Sequence, residues 1–136
     1  MSFLLDTNIL SEIRKGDRCN PGVSAWIQEV SPDDLFVSVL TLGEIVKGIH
    51  RIRRRDPSSA ESLQGWLDGV VRGYADRILI VDHAVAEEWG RLNSHDPLST
   101  IDSLLAATAI VHSMTLVTRN VRDVARTGVH CLDPFE

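Results

Sequence analysis

The sequence predicts a single α/β domain with a mainly parallel central sheet, and two observations carry that expectation. Short apolar or β-branched runs alternate with longer segments whose apolar residues recur at helical spacing, the order expected of strand–helix–strand units. The chain has 136 residues, 43% hydrophobic and 24% charged, which is the size and usage of one compact domain spanning residues 1–136.

The elements follow in order. Phe3-Leu4-Leu5 is an apolar run ending in Asp6-Thr7-Asn8, a strand feeding a capped helix that continues to about Lys15 and stops at Gly16. Leu35 to Val39 reads as a second strand. Leu42, Ile45, Val46 and Ile49 then fall at i, i+3, i+4 and i+7, the stripe of an amphipathic helix. Asp56-Pro57-Ser58-Ser59 breaks that pattern, and Leu63, Trp66, Leu67 and Val70 set another helix from about Ser59 to Tyr74. Arg77 to Val81 reads as a strand and Ala84 to Leu92 as a helix. Ile101 to Met114 is a strongly apolar helix, Thr115 to Thr118 a strand, and Val129 to Leu132 closes the sheet. Ligands of such sheets bind beyond the carboxyl ends of the strands, near a topological switch point. Asp6, directly after the first strand, and Asp123, just after the strand ending at Thr118, fall on that edge.

Composition narrows the function classes. The two cysteines, Cys19 and Cys131, have no metal or redox spacing, so no disulfide framework is expected and a reducing interior suits the chain. The N-terminus has no basic leader, and no run approaches the roughly 18 apolar residues of a membrane span. A cytoplasmic protein without a membrane partner is expected. A net charge of −5 argues at first against nucleic acid, whose phosphates attract Lys and Arg. Yet Arg51, Arg53, Arg54 and Arg55 cluster, as do Arg119, Arg122 and Arg126, and an acidic site that recruits cations leaves the same balance. No Gly-rich phosphate loop, Gly-x-Ser-x-Gly elbow or Cys/His pair is present, which weighs against nucleoside-triphosphate chemistry and serine or cysteine nucleophiles. The five histidines are dispersed, and the three tryptophans fall on helical stripes that point to the core.

Four carboxylates stand out by context, and each has a structural alternative. Asp6 is equally suited to capping the first helix. Glu44 lies beside the buried stripe of its helix, and Thr41-Leu42-Gly43-Glu44 also matches a capping box. Asp102 is the only charged residue from Ile101 through Val111, and Ser99-Thr100-Ile101-Asp102 matches the same box. Asp123 has Arg119 and Arg126 as candidate surface partners. Together they carry more than they do singly. An ionised carboxylate opening an apolar helix is costly unless paired or metal-bound, and a second carboxylate beside it adds repulsion that a divalent cation removes. Oxygen ligands without Cys or His point to Mg2+, with Mn2+ as the alternative, over zinc.

These residues resemble a known family. Phe3 to Glu12, Thr41 to Ile49, Ile101 to Ala109 and Leu116 to Asp123 look, in this order and across nearly the whole chain, like the four motifs of PIN-domain ribonucleases, and specifically of VapC- and FitB-like toxins of type II toxin–antitoxin systems. The resemblance implies a three-layer α/β/α domain and Mg2+-dependent hydrolysis of RNA phosphodiesters. It assigns Asp6, Glu44 and Asp102 to the main metal site and Asp123 to an acid whose role varies between members. Asn120 stands where some relatives carry Asp, and Val124 where Phe is common. Thr7, Asn8, Thr118 and Asn120 would orient carboxylates or phosphate from behind. Arg51, Arg53, Arg54 and Arg55 are candidates for RNA or partner contact, balanced against a solvated helix end that complements the macrodipole. The resemblance further implies a homodimer, higher assembly with a cognate antitoxin protein, and an antitoxin tail covering the acidic groove. The rival readings are a catalytically inactive PIN-fold binding module, a DNA-directed nuclease and a haloacid-dehalogenase phosphatase. The last needs an acid two positions after the first, where this chain has Asn8.

Overall fold

The computed structural model describes all 136 residues. The strands are β1 (Phe3–Leu5), β2 (Leu35–Ser38), β3 (Ile78–Leu79), β4 (Thr115–Val117) and β5 (Cys131–Leu132). The helices are α1 (Thr7–Arg14), α2 (Pro21–Glu29), α3 (Val39–Arg53), α4 (Pro57–Gly73), α5 (His83–Leu92), α6 (Thr100–Val111) and α7 (Val121–Val124). The strands form one five-stranded sheet in the order β3-β2-β1-β4-β5, parallel throughout.

Both faces of the sheet are covered, as an all-parallel sheet requires. Every residue of β1 is buried because alternate side chains enter different cores. Phe3 and Leu5, with Leu35, Val37 and Val117, pack against Ile9 and Leu10 of α1, Ile45 and Ile49 of α3, and Ala60 and Leu67 of α4. Leu4 and Leu116 face the opposite side, where Leu105, Ala106 and Ala109 of α6 pack with Met114 and Val124. The small residues of α6 let it lie close on the sheet, and α5 packs against it. The result is the three-layer α/β/α arrangement.

β1 lies at the centre. The chain runs from β1 through β2 to β3 on one side, then returns to β4 and β5 on the other. The order therefore reverses between β1 and β4, and Asp6 and Thr118 directly follow those two strands at their carboxyl ends. That is the switch point at which such sheets bind ligands.

Several local expectations change. The segment Pro21–Glu29 is a helix, opened by the Asn20 side chain accepting from Gly22 and Val23 N–H, with Pro21 in the first turn. The third strand is limited to Ile78–Leu79, and Asp123 lies on the short helix α7. Helix α3 starts at Val39, one turn earlier than the apolar spacing indicates, because Ser38 caps it by accepting from Leu40 N–H. Its inward face is Thr41, Ile45 and Ile49, while Val46 is exposed. No helix is long and apolar enough to cross a membrane.

Candidate active site

Asp6 is the anchor of the site. It is buried at the N-cap of α1, and its backbone N–H donates to Val117 O as a continuation of the ladder between β1 and β4. Its carboxylate accepts from Thr7 N–H at 2.7 Å, from Asn8 Nδ2 at 3.2 Å and from Thr118 Oγ1 at 2.7 Å. The capping role is real, but it occupies only part of the acceptor capacity of one oxygen. The donors fix the orientation of a charge in a place where a free carboxylate is expensive.

The neighbouring groups hold one another. Thr118 Oγ1 also accepts from Asn120 N–H at 3.0 Å, and Asn8 Oδ1 accepts from Arg119 N–H at 3.3 Å. Asn8 thus ties the first turn of α1 to the segment after β4. Glu44, half-buried on α3, accepts a 2.6 Å hydrogen bond from Thr7 Oγ1. Its capping-box reading is corrected here, since the cap of α3 is Ser38 and Thr41 is a buried third residue whose hydroxyl has no partner.

Asp102 stands near the start of α6, half-buried. Its pKa is raised, first by burial, then by the charges of Asp6, Asp123 and Glu44, with a Ser99 hydroxyl contact opposing the shift. Ser99 occupies the cap position of α6 without making a side-chain cap bond, so the predicted box is at most half formed. Asp6, Asp123 and Glu44, from three other segments of the chain, lie near enough to Asp102 for their charges to act on it, without closing around one point. Asp123 is exposed on α7, and the expected ion pairs with Arg119 and Arg126 do not form. Arg126 pairs with Asp96, and the Arg119 guanidinium lies over the Phe135 ring at 4.6 Å. None of the four carboxylates is in a salt bridge, so their negative charge is uncompensated by the protein.

No three acidic, histidine or cysteine side chains close around one point as a ready-made metal cage. Magnesium does not require one. It is held by one or two carboxylates and keeps several waters, so an all-oxygen set with uncompensated charge fits it in chemistry.

A groove of about 350 Å³ opens beside Glu44, lined by Val39, Leu40, Gly43, Lys47 and Ile101. It was not legible in the sequence, because its walls come from α3 and α6. Glu12 was also not anticipated. It is buried, accepts from Asn20 N–H at 2.8 Å and Lys15 Nζ at 3.0 Å, and these bonds hold its pKa low in that order of importance. It braces the connection to α2. Arg51, Arg53, Arg54 and Arg55 lie at the C-terminal end of α3, while Glu44 lies toward its N-terminal end, and Arg53 pairs with Glu61. The structure does not bring this cluster to the carboxylates.

Comparison with known proteins identifies the family and the fold. The family model described as PIN domain matches residues 3–129. Ribonuclease VapC14 of Mycobacterium tuberculosis is 39% identical over 71 residues, covering 52% of this chain and 68% of that protein. Toxin FitB of Neisseria gonorrhoeae is 27% identical over 140 residues, 98% of each chain. The crystal structure of FitAcB from Neisseria gonorrhoeae superposes with a TM-score of 0.89 at 27% identity, covering 98% of this chain and 99% of that one. With this fold, the four motifs in register and a match across most of its length, the chain belongs to the PIN domain family, among the VapC- and FitB-like toxins.

Proposed function

We propose that this chain is a Mg2+-dependent endoribonuclease that hydrolyses RNA phosphodiester bonds as the toxin of a toxin–antitoxin pair. One observation carries the reading: the charges of Asp6, Asp123 and Glu44 reach Asp102 near the switch point of the sheet, and none of the four carboxylates is in a salt bridge. A purely structural role for these acids would favour pairing them, whereas a site for a divalent cation and a phosphate needs them free.

Asp6 and Asp102 would hold the cation directly, with Glu44 and Asp123 completing the acidic ring. A bound magnesium would supply positive charge to the scissile phosphate and lower the pKa of a coordinated water. The protein's own part is positional. Thr118, Asn8 and the Thr7 N–H hold Asp6 in one orientation, and Thr7 Oγ1 holds Glu44, so little rearrangement is needed as charge develops. The groove beside Glu44 has apolar walls suited to the face of a nucleobase, and Lys47 at its edge suits a phosphate. The relatives named as ribonuclease and the FitAB and VapBC complexes among the structural neighbours support the assignment to a toxin with an antitoxin partner.

Purified, antitoxin-free protein is to be incubated with structured RNAs with and without magnesium, beside an Asp6→Ala/Asp102→Ala variant. Magnesium-dependent cutting lost in the variant is expected. Cutting that survives in the variant would place the chemistry elsewhere. No cutting of any RNA, with no magnesium bound by calorimetry, favours the inactive binding module, and cutting of DNA alone favours the DNA-directed reading.

A further inference from the structure

We propose that Arg119 binds an RNA phosphate next to the acidic site and that Phe135 positions it by stacking. The inference rests on the ribonuclease reading above and adds to it a named phosphate-binding residue.

The arginines of this chain fall into two groups. The side chains of Arg14, Arg53, Arg77, Arg91 and Arg126 all donate to protein oxygens. Arg119 donates only through its backbone N–H, to Asn8, and its guanidinium makes no hydrogen bond. It is nevertheless held, because its Cζ lies over the Phe135 ring, 4.6 Å from the centroid. Stacking fixes an arginine through its face and leaves its in-plane donors free, which is the state needed for forked recognition of a phosphate. An arginine present only for stability would more economically use those donors on a neighbouring carboxylate.

The position is also specific. Arg119 directly follows Thr118, whose hydroxyl holds Asp6, and its own N–H is tied to Asn8, which donates to the same carboxylate. Its backbone therefore cannot drift relative to the site. Beside it is a polar recess of about 310 Å³ whose walls include Arg122, Asn120 and Asp123. Arg122 is exposed and likewise has no ion-pair partner. The recess also contains Asp133 and Glu136, so it is of mixed sign and does not attract a free anion strongly. A polyanion engaged by the acidic site through its cation would meet the free guanidinium of Arg119 in the recess that Asp123 also lines. Glu12 feels the charge of Arg119, but both of its oxygens are engaged by Lys15 and Asn20.

The test measures binding of a short single-stranded RNA by fluorescence anisotropy with calcium in place of magnesium, the RNA checked to be intact afterwards, over a series of salt concentrations. Single-turnover cleavage in magnesium is measured in parallel. Each phosphate contact on a single strand contributes about 0.7 to the slope of log K against log salt. Arg119→Gln is expected to lower that slope by about 0.7, to weaken binding several-fold at low salt, and to lower the melting temperature only slightly, since the side chain is exposed and loses only its contact with the Phe135 ring. Arg119→Lys keeps the charge and the slope but cleaves more slowly. Phe135→Leu keeps the slope and slows cleavage in the same way, as a positioning residue should. Arg72→Gln, an exposed arginine on α4, serves as the control. An unchanged slope and rate in Arg119→Gln, with wild-type protein that binds and cuts RNA, overturns this inference alone. Wild-type protein that neither binds nor cuts RNA overturns the ribonuclease reading and this inference together.

Discussion

Thr118→Val tests how the site holds its central charge. The substitution keeps the shape of the side chain and removes the hydroxyl that donates to Asp6 Oδ2 at 2.7 Å. Both residues are buried, so water cannot replace the donor without opening the structure. A hydrogen bond to a charged group contributes roughly 1.5–3 kcal/mol. Asp6 keeps its bonds from Thr7 N–H and Asn8 Nδ2, and the Asn120 N–H orphaned by the change is near solvent, so little is added beyond that range. The expected loss is about 2 kcal/mol, or a fall of roughly 6–12 °C in melting temperature for a domain of this size. The assay is urea denaturation in EDTA at neutral pH, so that no bound cation contributes. Thr118→Ser keeps the donor and should lose much less. In an Asp6→Asn background the bond is neutral and the cost of Thr118→Val should fall to about 1 kcal/mol. The reasoning is refuted if Thr118→Val lies within about 0.5 kcal/mol of wild type, or if the serine variant is as unstable as the valine variant.

Further expectations follow from the same geometry. The folded-state pKa of Asp102 lies above its ordinary value, so the contribution of this group to stability is fully present below the ordinary carboxylate range and is lost as pH rises through the raised value. Asp102→Asn removes that loss: in EDTA the variant should be more stable than wild type at neutral pH and no more stable in acid, and a variant less stable at neutral pH would contradict the repulsion. Magnesium should raise the stability of wild-type protein by about 2.7 kcal/mol at a concentration of one hundred times its Kd, measured by thermal denaturation. The same addition should have much less effect on Asp6→Asn/Asp102→Asn; equal stabilisation of both proteins would place the cation elsewhere. At Gly22 an added Cβ would lie 2.3 Å from Pro134 O and 3.3 Å from Glu136 O, both backbone atoms. Gly22→Ala should therefore cost about 1–3 kcal/mol and release residues 133–136, read as faster limited proteolysis of that segment; unchanged protection would show that the chain relieves the clash locally.

Much of the fold was legible in the sequence because its signals are local. The strand–cap junction at Leu5-Asp6, the stop at Gly16 and the apolar run of α6 depend on neighbours within a few residues, and the structure keeps all of them. The alternation of elements was enough to give a parallel sheet with the acids at one edge. The capping of α3 was misread because Ser38 and Thr41 are both competent caps, and only the end of β2 decides which one meets the free N–H groups. Helix α2 was not recognised from its sequence; its Asn20-Pro21 opening was a start signal that short apolar spacing did not reinforce.

The sequence by itself determined which residue types are available, and it placed Asp6 at the end of a strand, Glu44 beside the buried stripe of a helix, Asp102 near a helix start and Asp123 just after a strand. It did not distinguish a capping acid from a site acid, since the same carboxylate chemistry serves both. Tertiary structure decided that. The reversal of strand order brings Thr118 to Asp6 across 112 residues, and the crossing of α1 by α3 brings Thr7 to Glu44 across 37. Those meetings depend on which strands pair and on which helix face each core takes up, and these are properties of the packed sheet that no local pattern encodes.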